Sequence, residues 1–271
     1  MLGGMRVSVE AGVELNVRHR EGEGRPFVFV HGLSSNARLW DELAAHLSCP
    51  SWSIDMRSHG DSDAPANGYD TATAAGDVAT VITELRLDRP VVVGQSWGGN
   101  IVVRLAAKRP ELVGAVGLVD GGWIDPSATF PTWEACEKAL RPADIDGLPA
   151  DQLRQWLTKS HPAWSPAAIE ATVANLRVRD DGTLERRLPI AQHMQIVRSM
   201  WDEPPGPYLP LVAAPALLMP ACGPHEAKAK AVLAAAELMT NARITWYPDG
   251  DHDLHAQQPA RLAADLLPLA A

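Results

Sequence analysis

Short strand-like runs alternate with longer helical patterns along most of the chain. Residues 5–9 and 13–18 alternate polar and apolar positions around Glu10-Ala11-Gly12, which predicts a β-hairpin. Pro26–Val30, Ser51–Asp55, Val91–Val93 and Val113–Val119 are short runs rich in β-branched and aromatic residues. Such runs fit strands buried on both faces. Between them, Leu39–Leu47, Thr71–Leu85 and Asn100–Lys108 carry apolar residues at helical spacing. The alternation resumes at Val212, with strands at Ala216–Met219 and Arg243–Trp246 and helices at Ala227–Leu238 and Pro259–Leu267. This order predicts an α/β fold whose mostly parallel, twisted sheet is covered by helices on both faces.

Residues 121–210 break that rhythm. They are rich in Pro and Trp, with helical pieces at Thr132–Leu140, Ala150–Lys159, Pro166–Asn175 and Ile190–Met200, and no strand is expected there. The pattern divides the chain into a core, 1–120 plus 211–271, and a helical cap at 121–210. Five of the nine tryptophans (Trp123, Trp133, Trp156, Trp164, Trp201) fall in the cap. They pack the insertion or line an apolar pocket over the chemistry.

The chemistry is legible at Val91-Val-Val-Gly94-Gln-Ser96-Trp-Gly98-Gly99, where a strand runs straight into a helical pattern with a serine at the turn. The sharp turn lifts the side chain clear of the sheet, and the glycines let the backbone pass closely. A serine hydroxyl needs a base and oxyanion donors to act as a nucleophile. Near the other end, Gly250-Asp251-His252 follows a predicted strand and precedes the last helix. An imidazole there has a pKa suited to proton shuttling near neutrality. His255, one turn later, is the weaker candidate base. A metal site of His252, Asp253 and His255 lacks a further clustered ligand, so no metal is expected. Candidate oxyanion donors are the backbone N–H groups of Trp97 and of Leu33, in His31-Gly32-Leu33-Ser34-Ser35.

These motifs resemble the α/β-hydrolase superfamily, in the branch of capped serine hydrolases. The matching stretches are His31-Gly32-Leu33, Asp55-Met-Arg57-Ser-His59-Gly60-Asp-Ser62, Gly94-Gln-Ser96-Trp-Gly98 and Gly250-Asp-His252 followed by Pro259. The resemblance implies Ser96 as nucleophile, His252 as base, and Leu33 and Trp97 as oxyanion donors. It makes the Asp55–Ser62 loop a structural brace rather than a site for His59. It departs from the family at the acid. The post-cap loop Pro220-Ala-Cys222-Gly-Pro-His225-Glu226 has no Asp, whereas Asp120 ends the strand before the cap. Asp120 is therefore the expected acid, with Glu226 as the alternative.

Composition narrows the remaining choices. The chain of 271 residues carries a net charge of −9, and no basic run interleaves with aromatics, so nucleic acid is not an expected partner. Cys49, Cys136 and Cys222 are widely spaced, which suggests reduced thiols and a cytoplasmic protein. The first residues lack a secretory h-region, and no 18-residue apolar span suggests a membrane. The expected activity is cleavage of an ester, lactone or thioester of a small to medium, largely apolar substrate, without cofactor. The serine argues against relatives that use a carboxylate nucleophile. The alternatives are a C–C bond hydrolase and a non-catalytic small-molecule receptor on the same fold.

Overall fold

The computed structural model describes residues 2–271. The chain opens with a hairpin of β1 (Leu2–Glu10) and β2 (Val13–Arg20), paired antiparallel. There follow β3 (Phe27–Val30), α1 (Asp41–Ala45), β4 (Ser51–Ile54), α2 (Thr71–Glu84), β5 (Val91–Gln95), α3 (Trp97–Lys108) and β6 (Ala115–Val119). Residues 121–210 contain α4 (Pro126–Thr129), α5 (Trp133–Leu140), α6 (Ala150–Ser160), α7 (Pro166–Val173), β7 (Leu176–Val178), β8 (Leu184–Arg186) and α8 (Ile190–Asp202). The chain then returns through β9 (Ala216–Met219), α9 (Ala229–Leu238), β10 (Ala242–Ile244), α10 (Leu254–Gln257) and α11 (Pro259–Leu266).

Eight strands form one sheet in the order β1-β2-β4-β3-β5-β6-β9-β10. Every pairing from β4 to β10 is parallel. Successive residues of a strand point to opposite faces, and here both faces are covered. Val28, Val30, Val92, Val116 and Leu118 pack with Val78, Ile101 and Leu105 of α2 and α3. Phe27, Phe29, Val91, Val93 and Met219 pack on the other side with Leu43, Leu262 and Leu266 of α1 and α11. That double burial is why these strands read as unbroken apolar runs. All six parallel strands end on one edge, where the loops that follow them carry the candidate chemistry, as is usual for open α/β sheets.

Three expectations are corrected. The segment 121–210 does contain strands: β7 and β8 pair antiparallel in a separate two-stranded sheet that does not join the main one. Its turn holds Gly182 at φ 79°, a conformation that favours glycine. The predicted helix at Leu39–Leu47 is only a 3₁₀ turn, Ala37–Trp40, followed by the short α1. Conversely, α3 begins at Trp97, three residues before the expected Asn100, because close packing of Gly98 on the end of β3 and of Gly99 on Gly121-Gly122 overrides their poor helix propensity. Among the described residues no helix is long and apolar enough to cross a membrane.

Candidate active site

Ser96 sits between the end of β5 and the first turn of α3. Its backbone is at φ 54° and ψ −124°, outside the usual regions for an L-residue. Strain of this kind costs on the order of 1–3 kcal/mol and survives only where the surroundings enforce it. Here the enforcement is visible. Ser96 N–H donates to Val119 O across 3.0 Å, tying the turn to the end of β6. A Cβ on Gly94 would be driven into the backbone of Gly98, and one on Gly98 into the carbonyls of Val30 and His31. Only glycine at these positions lets α3 start so close to the sheet.

His252 Nδ1 lies 2.6 Å from Asp120 Oδ2. A carboxylate only accepts, so Nδ1 carries the proton and Nε2 is left as a proton acceptor. Asp120 follows β6 at φ 40°, and its second oxygen accepts from Ala221 N–H at 3.0 Å. Burial pulls the His252 pKa down, but the hydrogen bond to Asp120 and the charges of Asp253 and Asp120 outweigh it, and the net shift is upward. Gln95, one residue before Ser96, donates from Nε2 to His252 O at 3.0 Å and so fixes the backbone of the histidine loop to the serine turn. Glu226 does not approach His252; its Oε1 accepts from Gly223 N–H at 2.6 Å and braces its own loop. His255 is fully buried against Trp40, ring centroids 4.4 Å apart, with neither ring nitrogen hydrogen-bonded.

The loop after β3 is held from beneath by two buried histidines. His31 donates from Nδ1 to Gly32 O at 2.7 Å, and its Nε2 accepts from Met56 N–H at 3.0 Å. His59 donates to Arg57 O at 2.8 Å and accepts from Ser34 N–H at 3.1 Å. Burial drives their pKa values down to about 4 and about 3, so both stay neutral and act as backbone braces. Asp55 adds two more supports, accepting from Ala37 N–H at 2.7 Å and Asp61 N–H at 3.1 Å. The N–H groups of Leu33 and Trp97 have no protein acceptor among the described residues. The Trp97 indole is buried elsewhere, on Thr71, so only its backbone is available at the site.

Residues 121–210 are tied to these loops by polar contacts that the sequence pattern does not reveal. Asp251 accepts from Trp164 Nε1 at 2.9 Å and from Asp253 N–H at 2.9 Å. Ser34 Oγ lies 3.0 Å from His193 Nδ1 in α8, and Asn36 donates to Ala171 O at 2.7 Å. Together the loops enclose a cavity of about 120 Å³ lined by Ser96, His252, Asp253, Ser34, Ser35 and Thr172, among others. No tryptophan lines it. Trp133 and Trp201 pack edge to face, Trp164 is buried on α7, and Trp156 is 58% exposed. Trp133, Trp164 and Trp201 thus pack or anchor the insertion, and of the two readings of the tryptophans no lining of this cavity is seen; most of its lining residues are polar. Gln95 and the Ser34-Ser35-Asn36 run were readable as polar residues flanking the motifs. His193 carried no such signal. Among the described residues no group of three or more His, Cys, Asp or Glu is arranged to hold a metal ion.

Comparison with known proteins bears on the family and the fold. A family model described as alpha/beta hydrolase fold matches residues 25–165. A 2-(acetamidomethylene)succinate hydrolase of Mesorhizobium japonicum is 37% identical over 110 residues, 40% of this chain and 39% of that protein. Esterase Rv0045c of Mycobacterium tuberculosis is 37% identical over 108 residues, 40% of this chain and 35% of that protein. The matches therefore span well under half the length of those relatives. Among solved structures, E-2-(acetamidomethylene)succinate hydrolase superposes with a TM-score of 0.81 at 24% identity, covering 99% of both chains. A thioesterase domain from the curacin biosynthetic pathway gives 0.78 at 18% identity, covering 98% of this chain and 99% of that one. At these identities the structural likeness speaks for the fold alone.

Proposed function

The chain belongs to the α/β-hydrolase family, and we propose that within it this protein is a serine hydrolase that cleaves an ester-type bond through an acyl-enzyme. The observation that carries the reading is the 2.6 Å contact of His252 with Asp120, set on the same cavity as the strained Ser96. In this mechanism His252 Nε2 takes the proton of Ser96 Oγ as the oxygen attacks the carbonyl carbon. The N–H groups of Leu33 and Trp97 receive the developing oxyanion. Asp120 holds the imidazole in its Nδ1–H tautomer and balances the imidazolium. His252 then gives its proton to the leaving group, and a water activated by the same nitrogen releases the acid. Residues 121–210 act as the cap that closes the cavity, and the substrate is small.

The test is covalent. A fluorophosphonate should label the protein once, at Ser96, and Ser96→Ala should abolish both labelling and turnover of p-nitrophenyl acetate. Undiminished turnover by Ser96→Ala would overturn the proposal, and tight ligand binding without turnover in the unaltered protein would favour a receptor.

A further inference from the structure

The walls of the cavity beside Ser96 are unusual in what they offer a ligand. Ser34 presents only lone pairs. His193 Nε2 faces the carbonyl of Leu140 at 3.2 Å, so that nitrogen must carry the proton and Nδ1 must accept. Burial lowers the His193 pKa, so the ring stays neutral and does not donate from both nitrogens. The Ser34 hydroxyl proton therefore goes to His193, 3.0 Å away. Thr172 is committed in the same way, donating to Ala168 O at 3.0 Å. Asn175 accepts from Asn36 at its Oδ1, which leaves its amide N–H₂ as a donor. Ser35 Oγ is buried without any partner. No Arg or Lys lines the cavity.

Asp253 completes the set. It lies in the cavity wall next to His252, and no donor among the described residues hydrogen-bonds its carboxylate. Burial raises its pKa, and the nearby charges of Asp251 and Asp120 push the same way, with His252 and His161 opposing. The Asp253 side chain is only partly buried, and besides the two histidines it has no counter-charge and no hydrogen-bond donor, so its acceptor capacity is unused. A ligand bearing positive charge and N–H donors supplies both.

We propose that this cavity receives a protonated amine, so that the substrate is a small ester-type compound with an ammonium group near the scissile carbonyl and Asp253 as its counter-charge. Ser34, Thr172 and Ser35 accept the remaining N–H bonds. A carboxylate in the same place would meet Asp253 and find no cationic side chain. The proposal rests on the serine hydrolase reading of the same site, and it concerns Asp253 as a specificity residue.

Two measurements separate the two ideas. In the first, p-nitrophenyl esters of β-alanine, butanoic acid and malonic acid (half-ester) are compared. They place an ammonium, a methyl and a carboxylate at the same distance from the carbonyl. The ammonium ester should have a kcat/KM roughly 10- to 100-fold above the methyl ester, the range set by one hydrogen bond to a charged group. The carboxylate ester should be poorest. In Asp253→Asn the ratio of the first two should collapse toward unity. In the second, 3-aminopropanamide, butanamide and malonamate are titrated into Ser96→Ala by NMR, with binding expected in the same order. This arm needs no turnover, so it stands even if Ser96 proves not to be a nucleophile. Equal values for ammonium and methyl compounds in the unaltered protein, or an equal loss on all three in Asp253→Asn, would overturn the proposal.

Discussion

His252 and His59 both follow the carboxyl ends of strands in one sheet, yet their chemistry is opposite. His252 is 53% exposed at its side chain and partners a carboxylate, and its pKa is raised. His59 is buried, partners a backbone carbonyl and an amide, and its pKa falls to about 3. Burial acts against the charged ring in both places. What differs is whether a carboxylate stands ready to receive the imidazolium. The open loop around His252 suits proton transfer. The closed floor around His31 and His59 suits holding backbone in place.

The largest effect should come from removing the imidazole that can change charge. His252→Ala should lower kcat/KM by up to about a millionfold, because the members of such a triad act as a unit. His255→Phe should leave most of the rate, and its stability in urea should be unchanged or higher. Both ring nitrogens of His255 are buried and unpaired, and an apolar ring of similar shape removes that cost. If His255→Phe proves the more damaging to rate, the comparison is drawn around the wrong histidine.

Next is the carboxylate. Asp120→Asn should keep the fold and lower kcat by about 10⁴-fold through loss of the tautomer and the countercharge. It should also move the acid limb of kcat/KM to lower pH. The sign follows from the base form: His252 must be neutral to accept a proton, Asp120 holds its pKa above the ordinary value near 6.5, and removing Asp120 lets it fall. A pH–rate profile of the variant with an unmoved acid limb would break the link between Asp120 and His252.

A third test reads stability. For His31 and His59 the folded pKa lies below the unfolded one, near 6.5. Their contribution is present above about pH 6.5 and is lost progressively as pH falls toward about 4, because the unfolded chain takes up protons first. Urea midpoints at pH 7 and pH 5 should drop accordingly, and His59→Gln should flatten that slope. The His252 pair has the reverse sign, fully contributing below about 6.5 and fading as pH rises through its raised folded value. The smallest effect should be Glu226→Gln, with activity near that of the unaltered protein, since Glu226 meets only its own loop.

Much of this layout was legible in the chain. The period-2 and period-3.6 patterns placed the main strands and most of the helices within a few residues. The exceptions were local. Gly98 and Gly99 read as poor helix, yet they lie in the first turn of α3 because Gly98 fits against the end of β3 and Gly99 against Gly121-Gly122 after β6. The hairpin of β7 and β8 was missed because each strand has only three residues. The tryptophans of 121–210 suggested an apolar pocket, but composition does not say which way a ring points.

The turn at Gly94–Gly98, the histidine loop at Gly250–His252 and the strand end at Asp120 can each be read from the chain, because each is a local pattern of a few neighbouring residues. The chain pattern favoured Asp120 over Glu226 without showing the contact with His252, and it carried no sign that His193 takes the proton of Ser34 or that the Asp253 carboxylate has no hydrogen-bond donor. Those pairs are 132 and 159 residues apart where they form, and the missing partner of Asp253 is a property of everything around it. Local periodicity reports which face of an element is buried. Only the register of the assembled sheet and the seating of residues 121–210 over its edge decide which side chains share one small volume, and therefore which protons and charges are matched.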